Sequence, residues 1–182
     1  MTLRVYLREP SRADGPEFLA FVHASRSLHA PYVDAPETSD TYRSYIQQCQ
    51  SPRYCGFLVC VCDGDAIVGV VNFNEIVRDD TPRANLGMYG ARRGTRKGYM
   101  GEGLQLALAR AFGELSLHTV EADVQEANDR SVRLLESCGF LRGDDEPRLL
   151  RAAGSWKHHA RWRLTAEKWM RSQRSGVRED ER

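Results

Sequence analysis

The stretch from Ala84 to Gly103, ANLGMYG followed by ARRGTRKGYMGEG, constrains the fold more than any other part of the chain. Its first seven residues read as a short strand with Leu86 and Met88, together with Tyr89, facing a core. The next thirteen are glycine-rich and basic, and they run into an apolar-periodic helix of Leu104, Leu106, Leu108, Ala111 and Phe112. A strand that empties through such a turn into a helix start directs several unpaired backbone N–H groups at one point. The helix dipole adds partial positive charge there, which makes an anion site. Arg92, Arg93, Arg96 and Lys97 crowd the same turn and suit a ligand with more than one phosphate. A nucleoside-triphosphate loop would need Gly, four residues, then Gly-Lys-Ser/Thr, and no such run exists. Gly98, Gly101 and Gly103 are spaced G-x-x-G-x-G, not the dinucleotide G-x-G-x-x-G. On the turn alone, an anion site and a plain loop making a close helix contact are level readings.

The flanking chain reads in order as alternating elements. Leu3–Arg8 alternates like a half-buried strand, and Ser11 is a plausible cap for a helix reaching about Arg26. Ser27–Pro36 reads as a loop holding Leu28, Pro31, Tyr32 and Val33, followed by a helix from Thr38 to Gln48 capped by Ser39 or Asp40. Phe57–Cys62 and Ala66–Val77 flank Asp63-Gly64-Asp65, a hairpin signal. After the helix of 99–114, His118–Val124 reads as a strand and Ser131–Cys138 as a short helix stopped by Gly139. Leu141–Leu150 and Trp156–Leu164 read as a last hairpin, and the charged segment 167–182 as a helical tail. With no repeat or linker, 1–166 is expected to be one α/β three-layer domain, mostly antiparallel strands with helices on both faces.

At 182 residues with 41% hydrophobic content the chain can bury an ordinary core. A net charge of +1 argues against a general nucleic-acid binder and against a polybasic membrane anchor. No apolar run approaches a membrane span of ~20 residues. The five cysteines lack C-x-x-C pairing and fit small buried hydrophobes in a reducing cytoplasm. The expected partners therefore include no nucleic acid and no membrane, with the chain a monomer or homodimer.

Some thirty residues past the turn, NDRSVRLLESCGF makes a resemblance specific. The chain is similar to the GCN5-related N-acetyltransferase superfamily. In that family a turn reading Q/R-x-x-G-x-G/A cradles the coenzyme A pyrophosphate, and a later segment reads N-x-x-S/A-x-x-L-x-x-x-x-G-F. Asn128, Ser131, Leu134, Gly139 and Phe140 match the second motif. SLHAPYV, IVGVVNFNEIVR and GSWKHHARWRL make the Rim type, ribosomal-protein alanine N-acetyltransferases, the most similar branch. The resemblance implies a twisted, mixed and mostly antiparallel sheet of about seven strands, with a splayed strand pair that binds CoA. It implies acetyl-CoA as cofactor, held by Met88, Tyr89, Gly90, Arg93, Arg96, Lys97, Gly98, Tyr99, Met100, Gly101, Asn128 and Ser131. Two positions depart from the superfamily turn: Thr95 stands for the leading Gln or Arg, and Met100 for the final Gly or Ala.

Acyl transfer to an amine needs a neutral amine, a channel for the pantetheine arm, an oxyanion donor and a proton donor for the thiolate. The fold implied by the resemblance makes the backbone N–H of Met88 or Tyr89 the oxyanion donor. Leu135 occupies the position where many members carry a tyrosine, so Ser131 is the expected thiolate partner, as in Rim-type enzymes. Asn128 reads equally as a helix cap. Glu75 is the first candidate base, and His158 and His159 follow, although His158 stands where related enzymes carry Asp. Tyr32, Asn72, Asn74, Trp156 and His159 are expected to surround the acceptor. An α-amine (pKa ~7.7–8) loses its proton ~3–4 kcal/mol more readily than lysine (~10.4), which favours a peptide N-terminus where no strong base is present. A small-molecule amine, or a non-catalytic module binding acyl-CoA or a ribosomal partner, are the alternatives.

Overall fold

The computed structural model describes residues 3–92, 97–144, 146–152 and 154–177. The chain begins with β1 (Val5–Arg8), a 3-10 turn at Arg12–Asp14 and α1 (Gly15–His29), then α2 (Ser39–Cys49). The hairpin β2 (Cys55–Val61) and β3 (Ile67–Val77) leads to β4 (Arg83–Gly90) and α3 (Tyr99–Phe112). β5 (Thr119–Val124), α4 (Asp129–Ser137), β6 (Leu141–Arg142), β7 (Arg148–Ala152), β8 (Ser155–Thr165) and α5 (Ala166–Val177) complete it. The strands line up as β1-β2-β3-β4-β5-β8-β6, with β7 also paired to β8.

Alternation along the strands divides the core into two layers. Phe18, Phe21 and Val22 of α1 pack with Tyr42, Tyr45 and Ile46 of α2 over Leu58, Cys60 and Val70. On the other face Leu104, Ala107, Leu108 and Ala111 of α3 and Leu135 of α4 cover Val59, Val71, Phe73, Leu86, Val120 and Ala122. Trp169 of α5 is buried in that second layer beside Phe112. Phe18, Phe73, Leu104 and Leu135 are fully buried, and each such side chain contributes ~1.5–3 kcal/mol relative to exposure.

Several boundaries differ from expectation, each for a local reason. α1 runs three residues past Arg26 because His29 anchors its end: the imidazole Nε2–H donates to the Gly90 carbonyl at 2.8 Å. Thr38, not Ser39 or Asp40, caps α2, its hydroxyl accepting from the Thr41 N–H at 3.2 Å. The strand expected over 141–150 is two strands. Both pair with β8, at Arg163 and Trp162 for β6 and from His159 to Ser155 for β7. The acidic run ending at Pro147 interrupts them, since proline offers no ladder N–H. The sheet accordingly has eight strands among the described residues. Among those residues no helix is long and apolar enough to cross a membrane.

His29 ties α1 to β4 from inside the core. Burial holds its imidazole below the usual histidine range, partly offset by the bond to Gly90. The unfolded chain takes up this proton near pH ~6.5, whereas the folded chain stays neutral until a lower pH. Between those values the unfolded state binds more protons, so stability is lost as pH falls through the window. His29→Gln retains an N–H donor but cannot titrate. Urea unfolding at pH 7.5, 6 and 5 is expected to show a shallower loss in the variant, by up to ~1.4 kcal/mol per pH unit. Identical slopes would assign the pH dependence to other groups.

Candidate active site

β4 and β5 are parallel neighbours for only three pairs, Arg83↔Thr119, Ala84↔Val120 and Asn85↔Glu121. Beyond Asn85 the two part. β4 goes on pairing with β3, from Leu86↔Phe73 to Gly90↔Gly69, while β5 goes on pairing with β8 as far as Val124↔Ala160. The splayed pair expected from the resemblance is present, and it starts at Leu86.

The direction of each β4 peptide follows from its two ends. Pro82 turns its carbonyl toward β5, accepting from His118 and Thr119, and Ala91 donates to Val68 of β3. Peptides alternate along a strand, so even-numbered residues face the gap and odd-numbered ones face β3. Met88 therefore directs its N–H and C=O into the gap, and Tyr89 directs its own at β3. Of the two N–H groups expected to serve as donor, that of Met88 is the one directed into the gap. The Tyr89 ring is packed between Phe21 and His29, and its buried hydroxyl has no partner among the described residues. Gly90 is likewise committed, its carbonyl to His29.

The helix start lies at the end of this edge. Gly98 caps α3 with φ +81°, a left-handed conformation that glycine adopts without a Cβ penalty. The N–H groups of Tyr99, Met100 and Gly101 follow in the first turn, where no helical carbonyl precedes them. Lys97 is exposed, its ammonium 5.9 Å from the centre of the Tyr99 ring. Arg4 reaches the same ring and pairs with Glu102, and so neutralises the one acid of the first turn. Arg93 and Arg96, with Thr95, lie outside the described residues. Met100 has a role beyond its amide. Gly69 and Gly90 face each other across β3 and β4, and the Met100 side chain lies over both. A Cβ on Gly69 would meet its sulfur at 2.0 Å, and one on Gly90 its Cγ at 2.8 Å.

On the far side of the gap, the Asn128 Oδ1 accepts from the Ser131 N–H at 3.3 Å and caps α4. The Ser131 hydroxyl is half-buried and has no partner among the described residues. It shares a helix face with Leu135, which is fully buried, so the position of the family tyrosine belongs to the core here.

The expected acceptor cluster is only partly assembled. Asn72 and Asn74 share a face of β3 with Gly87 and Asn85 opposite them, and a Cβ on Gly87 would approach the Asn74 amide nitrogen at 3.1 Å. Asn72 is buried and accepts from the Tyr45 hydroxyl at 3.0 Å, a core contact. Tyr32 donates to the Ala127 carbonyl at 3.2 Å. His159 is buried with Nδ1 2.9 Å from the Lys157 carbonyl, while His158 is exposed. Trp156 is 66% exposed at the tip of the β7–β8 hairpin. It lies four residues past the Val124↔Ala160 pair, roughly 13 Å along the strand at ~3.3 Å per residue. That separates it from the gap. Glu75 sits in a bulge between Asn74 and Val77 with φ +52°, exposed and without a hydrogen bond or ion pair among the described residues.

One group was missed. Asp123 on β5, its side chain only 5% exposed, sits at the point where the strands part and accepts from Arg161, Arg148 and Asn85 at 3.0–3.2 Å. Glu121, two residues earlier, is held by Arg161 and Arg163. The signal was available: Glu121-x-Asp123 alternates against the apolar face of β5, and Arg161-x-Arg163 does the same on β8.

This geometry has counterparts among known proteins. The family model described as Acetyltransferase (GNAT) domain matches residues 4–141. The chain belongs to the GNAT acetyltransferase family. It is similar to a probable N-acetyltransferase, YjcK, of Bacillus subtilis, 29% identical over 115 residues, 63% of this chain and 64% of that protein. It is also similar to the [ribosomal protein uS5]-alanine N-acetyltransferase of Escherichia coli, 30% identical over 107 residues, 59% of this chain and 55% of that one. The matched stretch thus spans less than two thirds of these relatives. A spermidine N-acetyltransferase from Vibrio cholerae, solved with CoA and spermine, superposes with a TM-score of 0.78 at 20% identity, covering 92% of this chain and 98% of that one. Acetyl-CoA is the cofactor of this family. The open Met88 edge and the first-turn amides at 99–101 fit such a group: one offers a strand edge to an amide-bearing arm, the other an anion site for its phosphates.

Gly101 tests the anion site without stressing the fold. A Cβ there meets only Leu134 Cδ1, at 3.8 Å. Gly101→Asp places an acid in the first turn, where it stabilises the helix by ~0.3–1 kcal/mol. The expected result is an unchanged or higher melting temperature with CoA affinity lowered at least tenfold, read by calorimetry. Unchanged affinity would remove the pyrophosphate from this turn.

Proposed function

We propose that the chain transfers acetyl from acetyl-CoA to a primary amine, with the α-amine of a peptide or protein N-terminus as the best acceptor. The observation that carries this reading is the Met88 N–H directed into the gap, on a strand edge that ends at a glycine-capped helix start. When bound, acetyl-CoA supplies an acetyl group already activated as a thioester. The chain's own residues do the rest. The Met88 N–H donates to the acyl oxygen as that oxygen gains charge, a fixed dipole that needs no reorganisation. The Ser131 hydroxyl donates to the sulfur as it departs; a serine is too weak an acid to give up a full proton unaided. Glu75, uncommitted on its bulge, collects the amine proton through water.

The choice of acceptor rests on charge. Glu121 and Asp123, the carboxylates of the strand beyond the gap, are already held by arginines. A polyamine carries several ammonium groups and gains little from neutralised carboxylates, whereas a peptide N-terminus brings one amine of modest pKa. The similarity to the uS5-alanine enzyme agrees with this acceptor class. A panel of peptides differing in their first residue, assayed for thiol release beside spermidine, decides it. Peptide turnover exceeding spermidine turnover is expected. Preference for spermidine would replace the acceptor, and no thiol release with any amine would favour a binding module.

Ser131 is tested against Ser137 of the same helix, whose hydroxyl donates locally to the Leu134 carbonyl at 2.7 Å. Ser131→Ala is expected to lower kcat ~10²–10³-fold, the effect of losing one preorganised donor, and to leave CoA affinity intact. Ser137→Ala is expected to be near silent. A Ser131→Ala kcat within about threefold of the parent, ~0.7 kcal/mol, would pass the role to a water or another residue.

A further inference from the structure

Beyond Asn85 no ladder joins β4 to β5, yet hydrogen bonds passing through the end of α1 connect the two arms. His29 donates from Nε2 to the Gly90 carbonyl at 2.8 Å. The His29 carbonyl accepts from the Tyr32 and Val33 N–H groups at 2.8 and 3.0 Å. The Tyr32 hydroxyl then donates to the Ala127 carbonyl at 3.2 Å, and the Gln125 side-chain amide donates to the Pro31 carbonyl at 3.3 Å. The next residue, Asn128, caps α4 through the Ser131 N–H. Glu126 and Ala127 are exposed, and after Val124 the next side chain packed on the core is Val132, so apolar packing does not hold the turn itself.

We propose that Tyr32 is a positioning residue: its hydroxyl ties the loop after α1 to Ala127 and so fixes the start of α4, and the Ser131 hydroxyl with it, relative to the open edge of β4. This rests on the reading that Ser131 faces the reacting group. The strap bridges the arms where the sheet cannot, and sets the gap between them. A tyrosine in an exposed loop would ordinarily be assigned to the acceptor. Here its hydroxyl is engaged within the chain.

Tyr32→Phe keeps the ring and removes only the tie. The expected result is a five- to tenfold fall in kcat with the acceptor KM within twofold. Amide exchange at residues 127–131 is expected to be several-fold faster in the free protein. Gln125→Ala removes the second tie. The loss in the double variant is expected to be smaller than the product of the single losses, since both act on one joint. A raised acceptor KM with kcat intact, unchanged exchange at 127–131, or faster exchange with unchanged kcat would each overturn the proposal. The exchange measurement needs neither acetyl-CoA nor acceptor, so it reads the tie even if Ser131→Ala proves silent and the assignment of Ser131 fails.

Discussion

The end of the parallel ladder after Asn85↔Glu121 is the constraint on which the rest of the structure depends. A strand edge stripped of its neighbour exposes N–H and C=O groups that must find other partners. The molecule treats them unequally. The Gly90 carbonyl is satisfied from α1, whereas the Met88 peptide is left to face the gap. Side chains hold the point of divergence, with Asn85 reaching Asp123 across the last paired step and two arginines completing that carboxylate. A charge with so little exposure is tolerable because it has three donors, two of them cationic, so that losing one arginine still leaves the other.

Much of the fold was legible because alternation and glycine spacing are local signals. The strand–turn–helix of 84–103, the Asp63-Gly64-Asp65 hairpin and the short helix after Asn128 all follow from patterns within a dozen residues. The differences arise where a distant group decides. Nothing near Arg26 says that α1 continues to His29, because the reason is a carbonyl sixty-one residues away. The break at 143–147 could have been read from Pro147 and its acidic neighbours.

The site was legible in its cofactor half and less so in its acceptor half, for a physical reason. Backbone amides at a helix start and a strand edge are consequences of topology, so a motif that reveals the topology also reveals them. Acceptor contacts depend on which way side chains point after packing. Asn72 is drawn into a hydrogen bond with Tyr45, Tyr32 into one with Ala127, and Trp156 is carried out along a hairpin that overshoots β5. None of these outcomes is encoded in spacing. The cross-strand pairing of Glu121 and Asp123 with arginines is encoded there, as two alternating triplets.

The seat of Met100 on Gly69 and Gly90 bears on how this protein can vary. Three positions from three elements share one small volume, so none of them drifts independently. A methyl on either glycine requires the side chain at 100 to shift or shorten, and a shorter side chain at 100 leaves a void between β3, β4 and the first turn of α3. Substitutions here are epistatic, and a substitution tolerated in one relative can be damaging when moved alone into another. Mutational paths through this corner are therefore coupled: a change at either glycine calls for an accommodating change in the seat of the side chain at 100.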